Sequence, residues 1–108
     1  MLITYSQNGV PVLLTAERWQ HITHRHPEMA DQQEQVVETL TEPELIQQGD
    51  YGALLAIRFY DQTPLTSKYL VVVYHELNRN DGFILTAYFT GRPSKNGGDS
   101  MGVTLWKR

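Results

Sequence analysis

Residues 68–90, KYLVVVYHELNRNDGFILTAYFT, decide the fold that the sequence predicts. Two runs in this stretch, Lys68–Glu76 and Phe83–Thr90, are rich in the aromatic and β-branched residues that favour strands. The link between them ends in Asp-Gly, which is typical of a hairpin turn. Tyr51–Tyr60 has the same strand-forming composition, and the link that follows it carries a proline. The sequence therefore predicts an antiparallel meander of three strands.

A hairpin and a first helix are predicted ahead of this meander. Leu2–Tyr5 and Val10–Leu14 are short apolar runs that flank an Asn-Gly dipeptide, whose residues tolerate the positive φ of a tight turn. Thr15 is predicted to cap a helix that starts at Ala16. The helix is predicted to end at His26, because the proline that follows disfavours a helical residue before it.

A second helix is predicted from about Pro27 or Met29 to Thr41, where apolar residues recur at helical spacing. Val103–Trp106 is predicted to return as a short last strand. The predicted fold class is α+β: an N-terminal hairpin and two helices packed on one face of a three- to four-stranded antiparallel sheet. The length of 108 residues predicts one domain, 1–108.

The composition excludes several classes of protein. Hydrophobic residues make up 41% and charged residues 19%, as in an ordinary globular domain. The chain has no cysteine, so it has neither a disulfide framework nor a thiolate metal site. No apolar stretch approaches the roughly 20 residues needed to span a bilayer. Residues Met1–Val10 lack a basic region followed by a long apolar run, so we expect no secretory signal. We therefore predict a soluble, cytoplasmic protein without membrane contact.

The net charge of −3 hides an asymmetry along the chain. Residues 1–50 hold two arginines against eight acids, whereas residues 51–108 hold seven bases against four acids. This division indicates one acidic face and one basic face. Proteins that grip long stretches of nucleic acid are normally more basic. If this protein acts on a polyanion, we expect a small local site.

Three of the four histidines lie close together near the predicted end of the first helix. His21, His24 and His26 make this segment a candidate for proton transfer, metal ligation or phosphate binding. Together with Glu28 they offer a ligand set for zinc. Their spacing differs, however, from the His-Glu-x-x-His pattern that presents two ligands one helical turn apart. We therefore assign no residue to a metal.

The alternation of residues along the predicted strands indicates a polar sheet face near this helix end. On the last strand, alternation places Ile84 on the same face as Thr86, Tyr88 and Thr90, which carry hydroxyl groups. The polar residues predicted on the sheet are Thr86, Tyr88 and Thr90 from the last strand, with Arg58 and Tyr60 from the first. A face that offers hydroxyls and a guanidinium beside histidines is suited to phosphate chemistry.

Four short motifs follow one another in a distinctive order. They are Trp-x-His-Ile at 19–22, Arg-His-Pro-Glu at 25–28, Glu-Pro-x-x-Ile at 42–46 and Ile-Leu-Thr-Ala-Tyr-x-Thr at 84–90. This pattern, from about Thr15 to Arg92, resembles the phage-associated and toxin-like nuclease domains of the barnase–EndoU–colicin–RelE group. The resemblance implies metal-independent cleavage of RNA, without a cofactor, by helix histidines that work with a basic residue and hydroxyls of the sheet.

The resemblance also implies roles for individual residues. His21 and His26 take the histidine role and Arg58 that of the strand cation, while Thr86, Tyr88 and Thr90 match the last-strand motif. We therefore predict that the catalytic residues are His21, His26, Arg58, Thr86 and Tyr88. Our own assignment of substrate-binding residues is Arg25, Tyr60, Thr90, Arg92 and Lys95. One neutral histidine takes the proton of an RNA 2′-hydroxyl, and His26 or Tyr88 donates a proton to the leaving 5′-oxygen. Arg58, with Arg25 or Arg92, neutralises charge on the phosphoryl oxygens. The expected product is a 2′,3′-cyclic phosphate.

Two other functions remain open at this point. A non-catalytic protein-interaction or regulatory domain of the same fold would use the acidic and basic faces as binding surfaces. A zinc hydrolase with histidine ligands is the second alternative. For the ribonuclease, the expected partners are RNA and a cognate inhibitor or antitoxin protein.

Overall fold

The computed structural model describes residues 1–64, 68–91 and 103–108, and its main feature is a mixed sheet flanked by two helices. The strands are β1 (Leu2–Tyr5), β2 (Pro11–Leu14), β3 (Leu45–Gln48), β4 (Leu54–Tyr60), β5 (Lys68–Asn78), β6 (Asp81–Thr90) and β7 (Thr104–Lys107). The helices are α1 (Ala16–Arg25) and α2 (Gln33–Thr41), and single 3-10 turns lie at Pro27–Met29 and Asp50–Gly52. The order of strands across the sheet is β1-β2-β6-β5-β4-β3-β7.

The prediction of a three- to four-stranded antiparallel sheet is wrong, because seven strands of the described residues form one sheet. The N-terminal hairpin joins the sheet: β2 lies beside β6 and runs parallel to it. On the other side, β3 and β7 extend the sheet beyond β4. Both are four residues long, and the pairing of β7 with β3 spans most of the chain. Such pairings leave no signal in local periodicity.

The central meander is confirmed. β4 pairs with β5, and β5 with β6, in antiparallel register. The turn between β5 and β6 is tighter than predicted, since the Asn78 side chain accepts a hydrogen bond from the Asn80 backbone at 2.8 Å and β6 already begins at Asp81. Gly82 therefore lies inside a strand and not in the turn.

α1 begins and ends where the sequence predicts. The Thr15 hydroxyl accepts a hydrogen bond from the Arg18 backbone at 3.0 Å, and His26 is the C-terminal cap. α2 begins later than predicted, at Gln33, because Pro27–Met29 forms a separate 3-10 turn. In the described part of the chain, neither helix is long and apolar enough to cross a bilayer.

The main core lies between the helices and one face of the sheet. Its buried side chains come from both layers: Val12, Leu14, Ile22, Met29, Val36, Leu40, Ala56, Leu70, Val72, Tyr74, Ile84, Ala87 and Phe89. A second cluster of Leu55, Ile57 and Val71 lies on the opposite face of the sheet. Strand alternation therefore divides the sheet into a helix-covered face and an opposite face.

A β-bulge interrupts the alternation that was predicted for β6, so this part of the prediction is wrong. Val73 lies opposite Thr86, whereas Tyr74 lies opposite Ile84, so Leu85 is an extra residue. Because of the bulge, the Ile84 side chain lies in the main core, where it is 1% exposed. It does not share a face with Thr86 as predicted. Hydrophobic alternation alone cannot show where a strand is interrupted.

Gly82 provides the first prediction, because a side chain at this position has no space. An added Cβ atom would lie 2.5 Å from the His75 carbonyl oxygen and 3.1 Å from that of Pro11. We expect Gly82→Ala to lower the free energy of unfolding by roughly 2–4 kcal/mol, because strands must move apart. Urea unfolding measures this, with Gly91→Ala as control, whose Cβ would meet only a lysine end at 3.5 Å. Equal stability of the two variants would contradict close packing at Gly82.

Tyr74 provides a second prediction. It is fully buried, and its hydroxyl has no hydrogen-bond partner among the described residues. We expect Tyr74→Phe to keep or raise the free energy of unfolding at neutral pH, by up to about 1 kcal/mol, because an unsatisfied hydroxyl is removed from the core. A loss of more than about 1 kcal/mol would show that the hydroxyl is paired.

The same variant tests the alkaline behaviour. Burial, with a smaller contribution from the Glu76 carboxylate, raises the pKa of Tyr74. The folded state therefore retains the phenol proton at pH values where the unfolded chain, with its pKa of about 10, has lost it. Stability from this group is complete below about pH 10 and falls as the pH rises further. We expect Tyr74→Phe to lose less stability above about pH 10 than the wild type or Tyr5→Phe, an exposed control.

Candidate active-site cleft

A cleft of about 460 Å³ lies between α1 and β6. It is lined by Arg18, His21, Arg25, His26, Leu85, Thr86 and Tyr88. Five of these residues were predicted from the sequence as site residues: His21, Arg25, His26, Thr86 and Tyr88. Two elements that are far apart in the chain therefore meet at this cleft.

The geometry of α1 explains why its basic residues face the cleft together. Arg18, His21 and Arg25 are three and four residues apart, so they follow one face of the helix. Ile22, four residues after Arg18, lies at the flank of this face and is fully buried in the main core. Burial of Ile22 thus fixes the rotation of α1 so that the basic residues lie at the margin of the core, where they line the cleft.

His26 occupies a special position at the end of α1. Its backbone (φ −131°, ψ 78°) is not helical, as expected for a residue before proline. The imidazole ring lies against Tyr88, with 5.9 Å between the ring centroids. Its Nδ1 atom is 3.8 Å from a carboxylate oxygen of Glu28. His26 is therefore held between an acid and a tyrosine.

β6 supplies the hydroxyl groups of the cleft. The pairing of β2 with β6 is confined to Leu13 opposite Phe83, and α1 is in contact with β6. Thr86 and Tyr88 lie on the face of the sheet opposite the one that the helices cover. The cleft extends around the edge of β6 and reaches both side chains. Burial raises the pKa of Tyr88, so its hydroxyl remains protonated and able to donate at neutral pH.

Arg58 does not lie in the cleft, contrary to the prediction. It shares the helix-covered face with Ala56, while Thr86 and Tyr88 lie on the opposite face. Its Nη1 atom donates a hydrogen bond of 2.6 Å to the Glu42 carbonyl at the C-terminus of α2. A cation at this end of a helix complements the helix dipole, so Arg58 stabilises the fold.

Tyr60 is also outside the cleft. Its hydroxyl donates a hydrogen bond of 2.7 Å to Glu38 and lies 3.2 Å from the Thr39 hydroxyl, both on α2. Burial, with a contribution from the Glu38 carboxylate, raises the pKa of Tyr60. The guanidinium of Arg58 lies 6.0 Å from the centre of the Tyr60 ring. These two predicted site residues together attach α2 to β4.

The remaining predicted substrate-binding residues divide into two groups. Thr90 lies on β6 opposite Tyr69 and does not line the cleft. Arg92 and Lys95 lie outside the described residues.

Arg18 is a cleft residue that sequence reasoning missed. Its position three residues before His21 is the signal that could have found it, since that spacing places both on one face of α1. Arg18 and His21 also line a neighbouring cavity of about 270 Å³, together with Thr15 and Glu17. The cleft therefore continues along α1 toward its N-terminus.

The histidines not in the cleft have other environments. His24 is exposed on α1, and His75 stacks on Phe83 with 5.1 Å between the ring centroids. Across residues 1–64, 68–91 and 103–108, no group of three or more histidine, aspartate or glutamate side chains is placed to hold a metal ion.

Anion binding tests which arginine serves the cleft. We expect Arg18→Gln to weaken the binding of inorganic phosphate at least about fivefold, because a charged donor is lost from the cleft wall. Arg58→Gln, the matched control, should keep phosphate affinity but lower the free energy of unfolding by about 1 kcal/mol, because the C-terminus of α2 loses its cation. Phosphate titration followed by NMR, with urea unfolding, measures both. Weaker phosphate binding by Arg58→Gln, with unchanged binding by Arg18→Gln, would instead place the anion site at Arg58.

Comparisons with known proteins return no match. No protein-family model, no curated protein and no solved structure matches this chain significantly. The function proposed for the cleft therefore rests on its own residues and their geometry.

Proposed function

We propose that the cleft between α1 and β6 is the active site of a metal-independent endoribonuclease that leaves a 2′,3′-cyclic phosphate. One observation carries this proposal: two imidazoles, two guanidiniums and two hydroxyls line a single cleft. These groups match the needs of phosphoryl transfer within RNA, namely a proton acceptor, a proton donor and stabilisation of the phosphate charge.

The charge of the cleft supports a phosphate ligand. The whole chain carries −3, yet Arg18 and Arg25 line the cleft together with two histidines. Arginine remains charged at any physiological pH and presents a planar fork of donors that fits phosphate oxygens. No carboxylate is among the described residues that line the main cleft. Local attraction for RNA is thus available on a protein that is acidic overall.

The proposed reaction is an attack of RNA on its own backbone. A neutral imidazole of the cleft takes the proton of the 2′-hydroxyl, and the 2′-oxygen forms a bond to the adjacent phosphorus. The bond from phosphorus to the 5′-oxygen breaks, and a second, protonated group donates its proton to that oxygen. The products are a 2′,3′-cyclic phosphate and a free 5′-hydroxyl. The reaction needs no water, metal or cofactor.

Arg18 and Arg25 take the role that the sequence had predicted for Arg58. They neutralise the charge that grows on the non-bridging phosphoryl oxygens, an effect worth about 3–4 kcal/mol for a well-placed donor. Thr86 and the protonated Tyr88 hydroxyl add neutral hydrogen-bond donors on the other wall of the cleft. Together the two walls surround the phosphate.

The proposal includes the setting in which the enzyme works. RNA is the substrate, the cytoplasm is the compartment, and a cognate inhibitor or antitoxin protein is the expected partner of a ribonuclease that could damage its own host. A non-catalytic domain with the same fold is the alternative, and the activity measurement separates the two.

Cleavage of RNA by the purified protein tests the proposal. We expect total RNA to be degraded equally with and without EDTA. The His21→Ala/His26→Ala variant should lose at least about 100-fold in rate, because general acid and base catalysis each contribute about 10²–10⁴. The control variant, His24→Ala/His75→Ala, removes two histidines from outside the cleft and should cleave at the wild-type rate.

Three outcomes would contradict the proposal. Full activity of the His21→Ala/His26→Ala variant would show that the cleft is not the active site. Absence of cleavage by folded wild-type protein would favour the non-catalytic domain. Activity that EDTA abolishes would instead require a metal and contradict the proposed mechanism.

A further inference from the structure

The segment from His26 to Met29 is held rigidly beside the cleft. The Met29 backbone donates a hydrogen bond of 2.9 Å to the His26 carbonyl, and Ala30 donates one of 3.1 Å to Pro27. Met29 is fully buried in the main core. Because Pro27 fixes its own φ and Met29 is anchored, the backbone of the residue between them, Glu28, is held in place next to His26.

Glu28 and His26 face each other in a partly buried position. The Glu28 Oε2 and His26 Nδ1 atoms are 3.8 Å apart, and the side chains are 20% and 33% exposed. Tyr88 contacts the same imidazole ring. The 3.8 Å separation is within ion-pair distance but is longer than a hydrogen bond. Because Nδ1 is the ring nitrogen nearer the carboxylate, Nε2 on the opposite edge of the ring is the nitrogen available to a ligand in the cleft.

A carboxylate at Nδ1 has a defined effect on a neutral imidazole. Its negative charge attracts an N–H and repels a lone pair, so it favours the tautomer that carries the proton on Nδ1. The lone pair is then on Nε2, which can take a proton but has none to give. His21 is exposed, and among the described residues no carboxylate lies within ion-pair distance of it.

We infer that Glu28 is a positioning residue that makes His26 the general base of the cleft, and that His21 is the proton donor. This assignment rests on the proposed ribonuclease function. His26 Nε2 takes the proton of the 2′-hydroxyl as the new bond to phosphorus forms. Protonated His21 gives its proton to the leaving 5′-oxygen as the old bond breaks. Glu28 stays ionised and stabilises the imidazolium that His26 becomes.

The tautomer of His26 tests the inference without any activity measurement. Imidazole nitrogen shifts of ¹⁵N-labelled protein are recorded at about pH 8, above the ordinary histidine pKa of about 6.5. We expect the Nδ1-protonated form to predominate at His26 in the wild type. Glu28→Ala should shift the population toward the Nε2-protonated form, while Glu28→Gln, which keeps an acceptor oxygen, should retain more of the wild-type form. Glu34→Ala removes an exposed acid on α2 and is the control.

The kinetic consequence separates positioning from a structural role. We expect Glu28→Ala to lower kcat roughly 10- to 100-fold with KM nearly unchanged, because orientation of the base matters in the transition state and not in binding. Glu28→Gln should recover part of kcat. Loss of activity in parallel with loss of thermal stability would instead show that Glu28 serves only the fold.

A substrate with a good leaving group distinguishes the base from the acid. A nucleoside 3′-(4-nitrophenyl phosphate) expels nitrophenolate, which needs no proton donor. We expect His21→Ala to cleave this substrate within about 10-fold of the wild-type rate, whereas His26→Ala should stay at least about 100-fold slower. The opposite pattern would reverse the two roles and overturn the inference.

The two sets of measurements fail independently. An Nε2-protonated His26 in the wild type would overturn the role of Glu28 even if RNA is cleaved. Absence of RNA cleavage with an Nδ1-protonated His26 would contradict the ribonuclease, and with it the catalytic assignment, while the pairing of Glu28 with His26 would stand.

Discussion

The pairing of β2 with β6 is the constraint on which the candidate site depends. β2 runs parallel to β6, with Leu13 opposite Phe83, and Gly82 leaves the space that this close approach requires. Because β2 leads through Thr15 directly into α1, the same pairing delivers the basic face of α1 to the edge of β6. The cleft therefore follows from the way the N-terminal hairpin joins the sheet.

The sheet also separates two sets of polar residues that look equivalent in the sequence. Arg58 lies on the helix-covered face, where it donates to the end of α2, whereas Thr86 and Tyr88 are reached from the cleft. Strand alternation assigns each side chain to a face, but only the register between strands shows which faces coincide. A guanidinium predicted to bind phosphate thus stabilises a helix, and Arg18 of α1 lines the cleft instead.

His26 links the local sequence to the chemistry of the cleft. The proline after it ends α1 and starts the 3-10 turn that carries Glu28. The imidazole is consequently placed between the Glu28 carboxylate and the Tyr88 ring. Two residues of this arrangement are neighbours in the chain, and the third comes from a strand more than fifty positions away. The proximity of Glu28 to His26 follows from the local sequence. The cleft, in contrast, forms only because α1 and β6 meet in the folded protein.

The elements whose signals are local could be predicted from the order of the residues alone. The cap at Thr15, the helix end at His26, the Asn-Gly turn and the strands of the central meander were all predictable, because each depends on residues within a few positions of one another. The sequence also indicated the histidine cluster and the hydroxyls of β6. Three features depend on the three-dimensional fold: the sheet has seven strands, the bulge at Leu85 directs Ile84 into the core, and Arg18 instead of Arg58 lines the cleft. These outcomes depend on pairing between distant segments, where register and burial, and not local propensity, set the position of each side chain.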